Sequence, residues 1–157
     1  MIIGNKLHGK TTLANFLCEV LPKTEAFSTS SYLVYRQSLI SGVSQEKILA
    51  DKETYRPKLV TLGNAMCDAD AGCLVSICIW ASSADNVIID GVRRISEFEH
   101  VKTWFDHIIW IDRPSQPLGL DNLELTPAHA HRVISNTGSL ADLRQQSLEL
   151  IKSLNLK

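Results

Sequence analysis

A chain of 157 residues holds one ordinary domain, and its 45% hydrophobic content supports a full buried core without disulfides or metals. The 16 basic and 17 acidic side chains leave a net charge of −1, which excludes a global pull toward nucleic acid or an anionic membrane. The longest apolar run, residues 72–81, is about half of the ~20 residues a membrane span needs, and MIIGNKLHGK lacks the apolar stretch of a secretion signal, so a soluble, cytoplasmic protein is expected.

Residues 1–3 are a short apolar run ending at glycine, as in the buried central strand of a parallel sheet. Residues 11–21 carry Leu13, Phe16, Leu17, Val20 and Leu21 at helical spacing, and Pro22 closes the helix. Residues 26–28 read as a second, very short strand. Residues 29–40 read as helix ending at Gly42, and Ser44 caps a further turn through Leu49. Residues 52–70 place Leu59, Leu62, Met66 and Ala69 on one face. Proline is tolerated in a first turn, so Pro57 sets the expected start of that helix near Arg56. Residues 74–80 continue as buried helix.

NVIID (86–90) is a buried strand, 97–105 a helix, and HIIWID (107–112) another strand. Residues 113–128 hold three prolines and no regular period, which makes them a loop. Residues 132–135 form a last short strand. Ser139 then caps a helix over 140–154, with Asp142 completing an approximate capping box. Strands alternating with helices imply a single α/β domain, a parallel sheet of about five strands with helices on both faces.

Gly4, Asn5, Lys6, Leu7, His8, Gly9, Lys10 and Thr11 fit the pattern G-x-x-x-x-G-K-[ST] at every fixed position. Two glycines let the backbone wrap until successive N–H groups face a β-phosphate. The helix that opens at about Lys10 adds its N-terminal partial charge. Lys10 is placed to bridge β- and γ-phosphate oxygens, and the Thr11 hydroxyl to complete a Mg²⁺ shell, with Thr12 beside it in the donor-binding set. The loop follows an apolar strand and opens an amphipathic helix, the setting this chemistry requires. ATP and Mg²⁺ are therefore the expected cofactors. His8 occupies a variable position of the loop, where the side chain is expected to point outward.

Asp90 ends the NVIID strand at the carboxyl edge, where open α/β sheets bind ligands. It serves there either as a Mg²⁺ or acceptor partner, or as a cap for the turn at Gly91. Arg93 and Arg94 follow at the same edge and suit a phosphate in transfer, or a pairing with Glu97. Arg56, beside Lys52 and Lys58, is a candidate clamp for an acceptor phosphate or part of a solvated basic face. Arg36, on the helix after the second strand, is a further clamp candidate. Arg113 opens the irregular loop, where it stacks on adenine, contacts phosphate or stays on the surface. Asn136 belongs to an adenine-proximal loop that also begins the last helix. The cysteines, Cys18, Cys67, Cys73 and Cys78, form no CxxC pair and read as small buried hydrophobes. His129 and His131 carry no metal-ligand pattern, and no Ser-His-Asp or Cys-His constellation can be argued.

Four segments in this order give a family likeness. They are GNKLHGKT with its helix, DKETYRPKLVTLGNAM, VIIDGVRRISEFEHVK with HIIWIDRP, and RVISNTGSLADLRQQ. Together they resemble the nucleoside monophosphate kinase group of P-loop proteins, phage-type deoxynucleoside monophosphate kinases above all. The resemblance implies a three-layer P-loop NTPase fold, with ATP–Mg²⁺ on the loop and the acceptor held by a helical region at about 29–82. It implies that Lys10, Asp90 and Arg93 carry catalysis, that Arg56 and Arg93 contact acceptor or transferred phosphates, and that a phage-encoded chain works in its host's cytoplasm. Two departures stand out. No lysine or arginine lies between Arg113 and Arg132, so the lid loop at about 113–130 is reduced, and the chain is short for such an enzyme.

A more open site admits a second acceptor, since some phage P-loop kinases of similar build phosphorylate a hydroxymethyl group on a pyrimidine already in DNA. An alcohol needs a general base, for which Asp90 is the best-placed side chain, whereas a phosphate acceptor needs clamps. The chain shows several clamp candidates, and Ser28, Thr29 and Ser30 rather than an acid after the second strand, so the monophosphate is put first and DNA second. A non-catalytic nucleotide-binding module is the third reading, and the NKxD-type guanine motif of GTPases is absent. A homodimer is compatible with the sequence.

Overall fold

Ile2 and Ile3 make a strand, β1, of only two residues at the centre of the sheet. Its brevity is offset by complete enclosure, because neighbouring strand positions face opposite sides. Ile3 packs with Val75, Ile89, Phe98 and Trp110 on one face, and Ile2 with Leu13, Leu17, Ile109 and Leu143 on the other. The computed structural model describes residues 1–114 and 123–154. The middle of the expected lid, 115–122, and residues 155–157 lie outside them.

The remaining elements follow in chain order: α1 (Lys10–Val20), β2 (Thr24–Ser28), α2 (Thr29–Ser41), α3 (Gln45–Ala50), α4 (Lys52–Ala69), α5 (Cys73–Trp80), β3 (Asn86–Asp90), α6 (Ile95–Val101), β4 (Ile109–Asp112), β5 (Arg132–Ser135) and α7 (Leu140–Ser153). Short 3₁₀ turns occupy Lys102–Trp104 and Pro127–His129. The five strands are all parallel, in the order β2-β3-β1-β4-β5. The helices α1 and α7 cover one face and α5 and α6 the other, as expected of an α/β domain with helices on both faces. Ser28 pairs with Asp90 in register, so the carboxyl ends of β2 and β3 lie side by side.

Helices α2, α3 and α4 build a small annex around Val34, Ile48 and Leu59, with Leu33, Val43 and Tyr55 packed against them. Here α4 begins at Lys52, four residues earlier than Pro57 suggests. Pro57 lies inside the helix and removes one N–H bond, but the turn before it forms around Asp51. The Asp51 carboxylate accepts the Thr54 hydroxyl (2.8 Å), and its carbonyl accepts the Tyr55 N–H (3.4 Å). Two other limits also move. β4 begins at Ile109 rather than 107, where the His107 carbonyl accepts the Met1 amino group (2.7 Å). The helix expected over 97–105 starts at Ile95 and tightens into a 3₁₀ turn after Val101. The capping box at Ser139 and Asp142 forms in both directions (3.2 and 2.7 Å).

All four cysteines are free, and two, Cys67 and Cys78, are buried. Burial pushes their thiols up to about 12 and about 11, the values of inert core residues. Among the described residues no three His, Cys, Asp or Glu side chains gather as a metal site, and no single helix is long and apolar enough to cross a membrane.

Candidate functional site

The loop after β1 depends on two glycines for different reasons. Gly4 has φ +147°, and a Cβ there would lie 2.5 Å from the Ile111 carbonyl oxygen. Gly9, the residue before α1, has φ +100°, and its Cβ would lie 2.6 Å from the Asn136 side-chain nitrogen. Only glycine takes such angles and such close approaches without strain. Lys10 folds back over the loop and donates to the carbonyls of Gly4 (2.8 Å) and Asn5 (2.7 Å). The Thr11 hydroxyl donates to Asp90 Oδ2 (3.1 Å), joining the start of α1 to the end of β3. Asp90 itself is buried.

His8 departs from the outward orientation expected of it. Leu7 takes the left-handed conformation (φ +63°) and exposes its own side chain, which turns His8 inward to 1% exposure. There its Nδ1 accepts the Arg113 N–H (3.0 Å), while its Nε2 is buried with no hydrogen-bond partner among the described residues. The His8 carbonyl accepts the Asn136 side-chain amide (2.9 Å), and the Asn136 N–H donates to the Asp112 carbonyl (2.6 Å). The loop is thereby fastened to the ends of β4 and β5. Asn136 also lines the cleft, but its side-chain bond goes to the loop.

The loop opens into a cleft of about 1450 Å³ between the sheet edge and the α2–α4 annex. That exceeds the roughly 300–1,000 Å³ of a pocket for one drug-sized ligand, leaving room for two. Lys6, Leu7, Gly9, Lys10, Thr11 and Thr12 line one side. Arg56 of α4, and Arg93 and Arg94 of the turn after β3, line the other, with Asp90 between and Arg113 at the β4 end. Arg36 is exposed on α2 and is not among the cleft-lining residues.

Several of these charges are already engaged. Lys6 and Arg56 both bind Glu53, and their hydrogen bonds hold its carboxyl down at about 2. Arg94 donates to Asp68 (2.7 Å) and to the Asn64 carbonyl (3.4 Å), fastening the start of α6 to α4. Glu97, in the first turn of α6, is 3% exposed and accepts the Arg93 N–H (3.2 Å). Burial pushes its carboxyl above the usual 4.5, against the pull of the Arg93 and Arg94 backbone N–H groups.

A raised folded value favours the protonated carboxyl in the fold. Stability from Glu97 is therefore present at acid pH and lost as pH climbs from about 4.5 through the raised value. Glu97→Gln, which keeps an acceptor oxygen but never ionises, is expected to raise the unfolding midpoint near neutral pH. Thermal unfolding across the range should show the advantage fading toward about pH 4, and a pH-independent difference would contradict it.

Lys52 reads from sequence only as a neighbour of Arg56 in a basic cluster, because Pro57 suggests a helix that starts after it. With α4 beginning at Lys52, that residue stands four positions before Arg56, on the same face and in the same cleft. Its ammonium is half-buried, reaches Ser30 Oγ at 3.4 Å, and is pushed below its usual value first by burial and then by Arg56 and Arg93. The i, i+4 spacing was the available signal. No protein-family model and no curated protein matches the chain.

Proposed function

We propose that this protein is an ATP-dependent phosphotransferase with a nucleotide-type acceptor, a deoxynucleoside monophosphate that leaves as the diphosphate. The observation that carries this reading is the Thr11–Asp90 hydrogen bond (3.1 Å). It brings the last residue of the glycine-rich motif to a strand-end carboxylate, beside Lys10 and opposite the arginines of the acceptor wall. A hydroxyl and a carboxylate are the hard oxygen donors that suit Mg²⁺, so Thr11 and Asp90 would hold that ion. When bound, it neutralises charge on the transferring phosphate.

The chain's own residues divide the remaining work. Backbone N–H groups of the glycine-rich loop and the N-terminus of α1 cradle the donor phosphates. Lys10 exchanges the Gly4 and Asn5 carbonyls for β- and γ-phosphate oxygens. Arg56 and Arg93 orient the acceptor phosphate. An acceptor oxygen bonds to the γ-phosphorus as the bond to the β-phosphate oxygen breaks, leaving ADP. The acceptor is already anionic, so no side chain has to remove a proton. Asp90, occupied by Thr11, supports this acceptor over an alcohol.

The deciding experiment offers γ-labelled ATP with each deoxynucleoside monophosphate, in parallel with plain and hydroxymethylpyrimidine-containing DNA. Label on a free nucleotide supports the proposal. Label in the hydroxymethyl-DNA lane alone replaces the acceptor with the polymer, and ATP binding without label in any lane leaves a non-catalytic module. Asp90→Asn keeps an oxygen for Thr11 but loses the charge. It is expected to lower transfer roughly 10- to 100-fold and to raise the Mg²⁺ concentration for half-maximal rate, and an unchanged Mg²⁺ titration would remove Asp90 from the ion's shell.

A further inference from the structure

We infer that Glu97 reads the base of the acceptor, selecting one that presents a ring N–H, as guanine and thymine do, over one that presents a bare ring nitrogen, as adenine and cytosine do. The inference rests on the phosphotransferase reading of the cleft and adds the class of base to it.

Helix α4 forms one long wall of the cleft, and its two ends are fastened to different parts of the molecule. At one end Glu53 holds Arg56 (3.1 Å) and Lys6 of the glycine-rich loop. At the other, the Asp68 carboxylate (2.7 Å) and the Asn64 carbonyl (3.4 Å) accept the Arg94 guanidinium, which brings the start of α6 against α4. Arg56 and Cys67 are about three turns apart, roughly 16 Å at the helical rise, a span that takes a phosphate, a sugar and a base end to end. The phosphate belongs at the loop end, where the donor phosphates are cradled, so the base belongs toward the α6 end. Beyond Arg56 the lining turns apolar, with Val60 and Cys67 of α4, Leu33 of α2 and Leu74 of α5. Such a wall suits the faces of a planar ring and leaves only the edge of the ring to be read.

Glu97 lines the same cleft from the first turn of α6. It is 3% exposed, and one of its oxygens, Oε2, accepts the Arg93 N–H (3.2 Å). The other, Oε1, is buried and has no hydrogen-bond partner among the described residues. A buried carboxylate oxygen without a donor is costly, and a donor brought by a ligand removes that cost. An ionised carboxylate only accepts hydrogen bonds, so the base has to supply the hydrogen. Guanine and thymine carry a ring N–H at their pairing edge. Adenine and cytosine carry a lone pair at the same place, which faces an oxygen unfavourably. A site built to accept that one N–H therefore rejects the base that lacks it.

Glu97→Gln separates reading a base from capping α6. The Arg93 N–H needs an acceptor, so the new side-chain carbonyl takes the place of Oε2 and its NH₂ the place of Oε1. The group offered to the base thereby changes from acceptor to donor. Wild type and Glu97→Gln are titrated, without ATP, against the four deoxynucleoside 5′-monophosphates. Ratios are taken within one ring size, dGMP against dAMP and dTMP against dCMP. Wild type should favour the ring N–H by at least ~10-fold in one of the two pairs, and Glu97→Gln should erase or reverse that preference. Methylating the ring nitrogen of the preferred nucleotide should abolish its advantage on wild type, a readout that needs no variant. A side chain that only caps α6 leaves both ratios where they are. A wild-type preference for adenine or cytosine, no preference, or a preference that survives in Glu97→Gln overturns the inference. Labelled-ATP transfer on the same nucleotides separates the two claims. Transfer with a preference that Glu97→Gln leaves unchanged keeps the phosphotransferase and discards the Glu97 site, and a Glu97-dependent preference without transfer does the reverse.

Discussion

Replacing Lys10 with alanine should lower phosphoryl transfer by about 1,000-fold, the upper end of what one preorganised charge contributes at a transition state. Lys10 is the cation held at the centre of the loop, 2.8 and 2.7 Å from the Gly4 and Asn5 carbonyls. Those two bonds hold its ammonium over the loop until it exchanges them for phosphate oxygens, so the charge is already in place within the loop when the donor binds. Their loss should cost only about 1 kcal/mol of folding stability, because the loop stays fastened through His8 and Asn136. The expected signature is a near-total loss of single-turnover rate with an unfolding midpoint within a few degrees of wild type. Retention of more than about a tenth of wild-type turnover would sink the role given to Lys10.

Gly4→Ala should be the most damaging change to the loop itself. Two penalties act together. At φ +147° a side chain is strained whatever the space, and the new Cβ would lie 2.5 Å from the backbone oxygen of Ile111. A backbone carbonyl in β4 cannot rotate aside, so either the strand or the loop must shift. The expected loss is about 3 kcal/mol, a fall in the thermal midpoint on the order of 10 °C, with ATP binding below detection. Gly9→Ala makes the internal comparison, because there the obstruction is the movable side chain of Asn136. Its stability loss should be the smaller of the two. Equal midpoints for wild type and Gly4→Ala in urea and thermal unfolding would rule out this loop conformation.

Much of the fold could be read directly from local pattern. NVIID and RVIS are bounded apolar runs, and both form strands with the expected limits. The Ser139–Asp142 box marks the start of α7 to the residue. What escaped was set by contacts distant in sequence. Pro57 signals a helix start, yet α4 runs through it, because the preceding turn is organised by Asp51 and Tyr55 packs on the annex core. That one shift puts Lys52, which the sequence shows only as a neighbour of Arg56 in a basic cluster, one helical turn before Arg56 on the same face. His8 illustrates the same limit. Within the loop its direction is undetermined, and its inward position goes with the left-handed turn at Leu7 and with a bond from the Arg113 N–H, 105 positions away. Arg36, a charge at a plausible distance in sequence, is exposed on α2 and not among the residues lining the cleft.

Glu53 has a consequence for how the cleft is entered. Its carboxylate pairs with Lys6 of the glycine-rich loop and with Arg56 of α4, a resident counter-ion between two cations that line the cleft. Both contacts involve an exposed carboxylate, and such pairs contribute only about 0–1 kcal/mol each. An arriving phosphate therefore meets cations that are already gathered and partly dehydrated, and displaces a weakly held placeholder. Filling the cleft becomes an ion exchange, in which added salt competes on the same terms as the substrate.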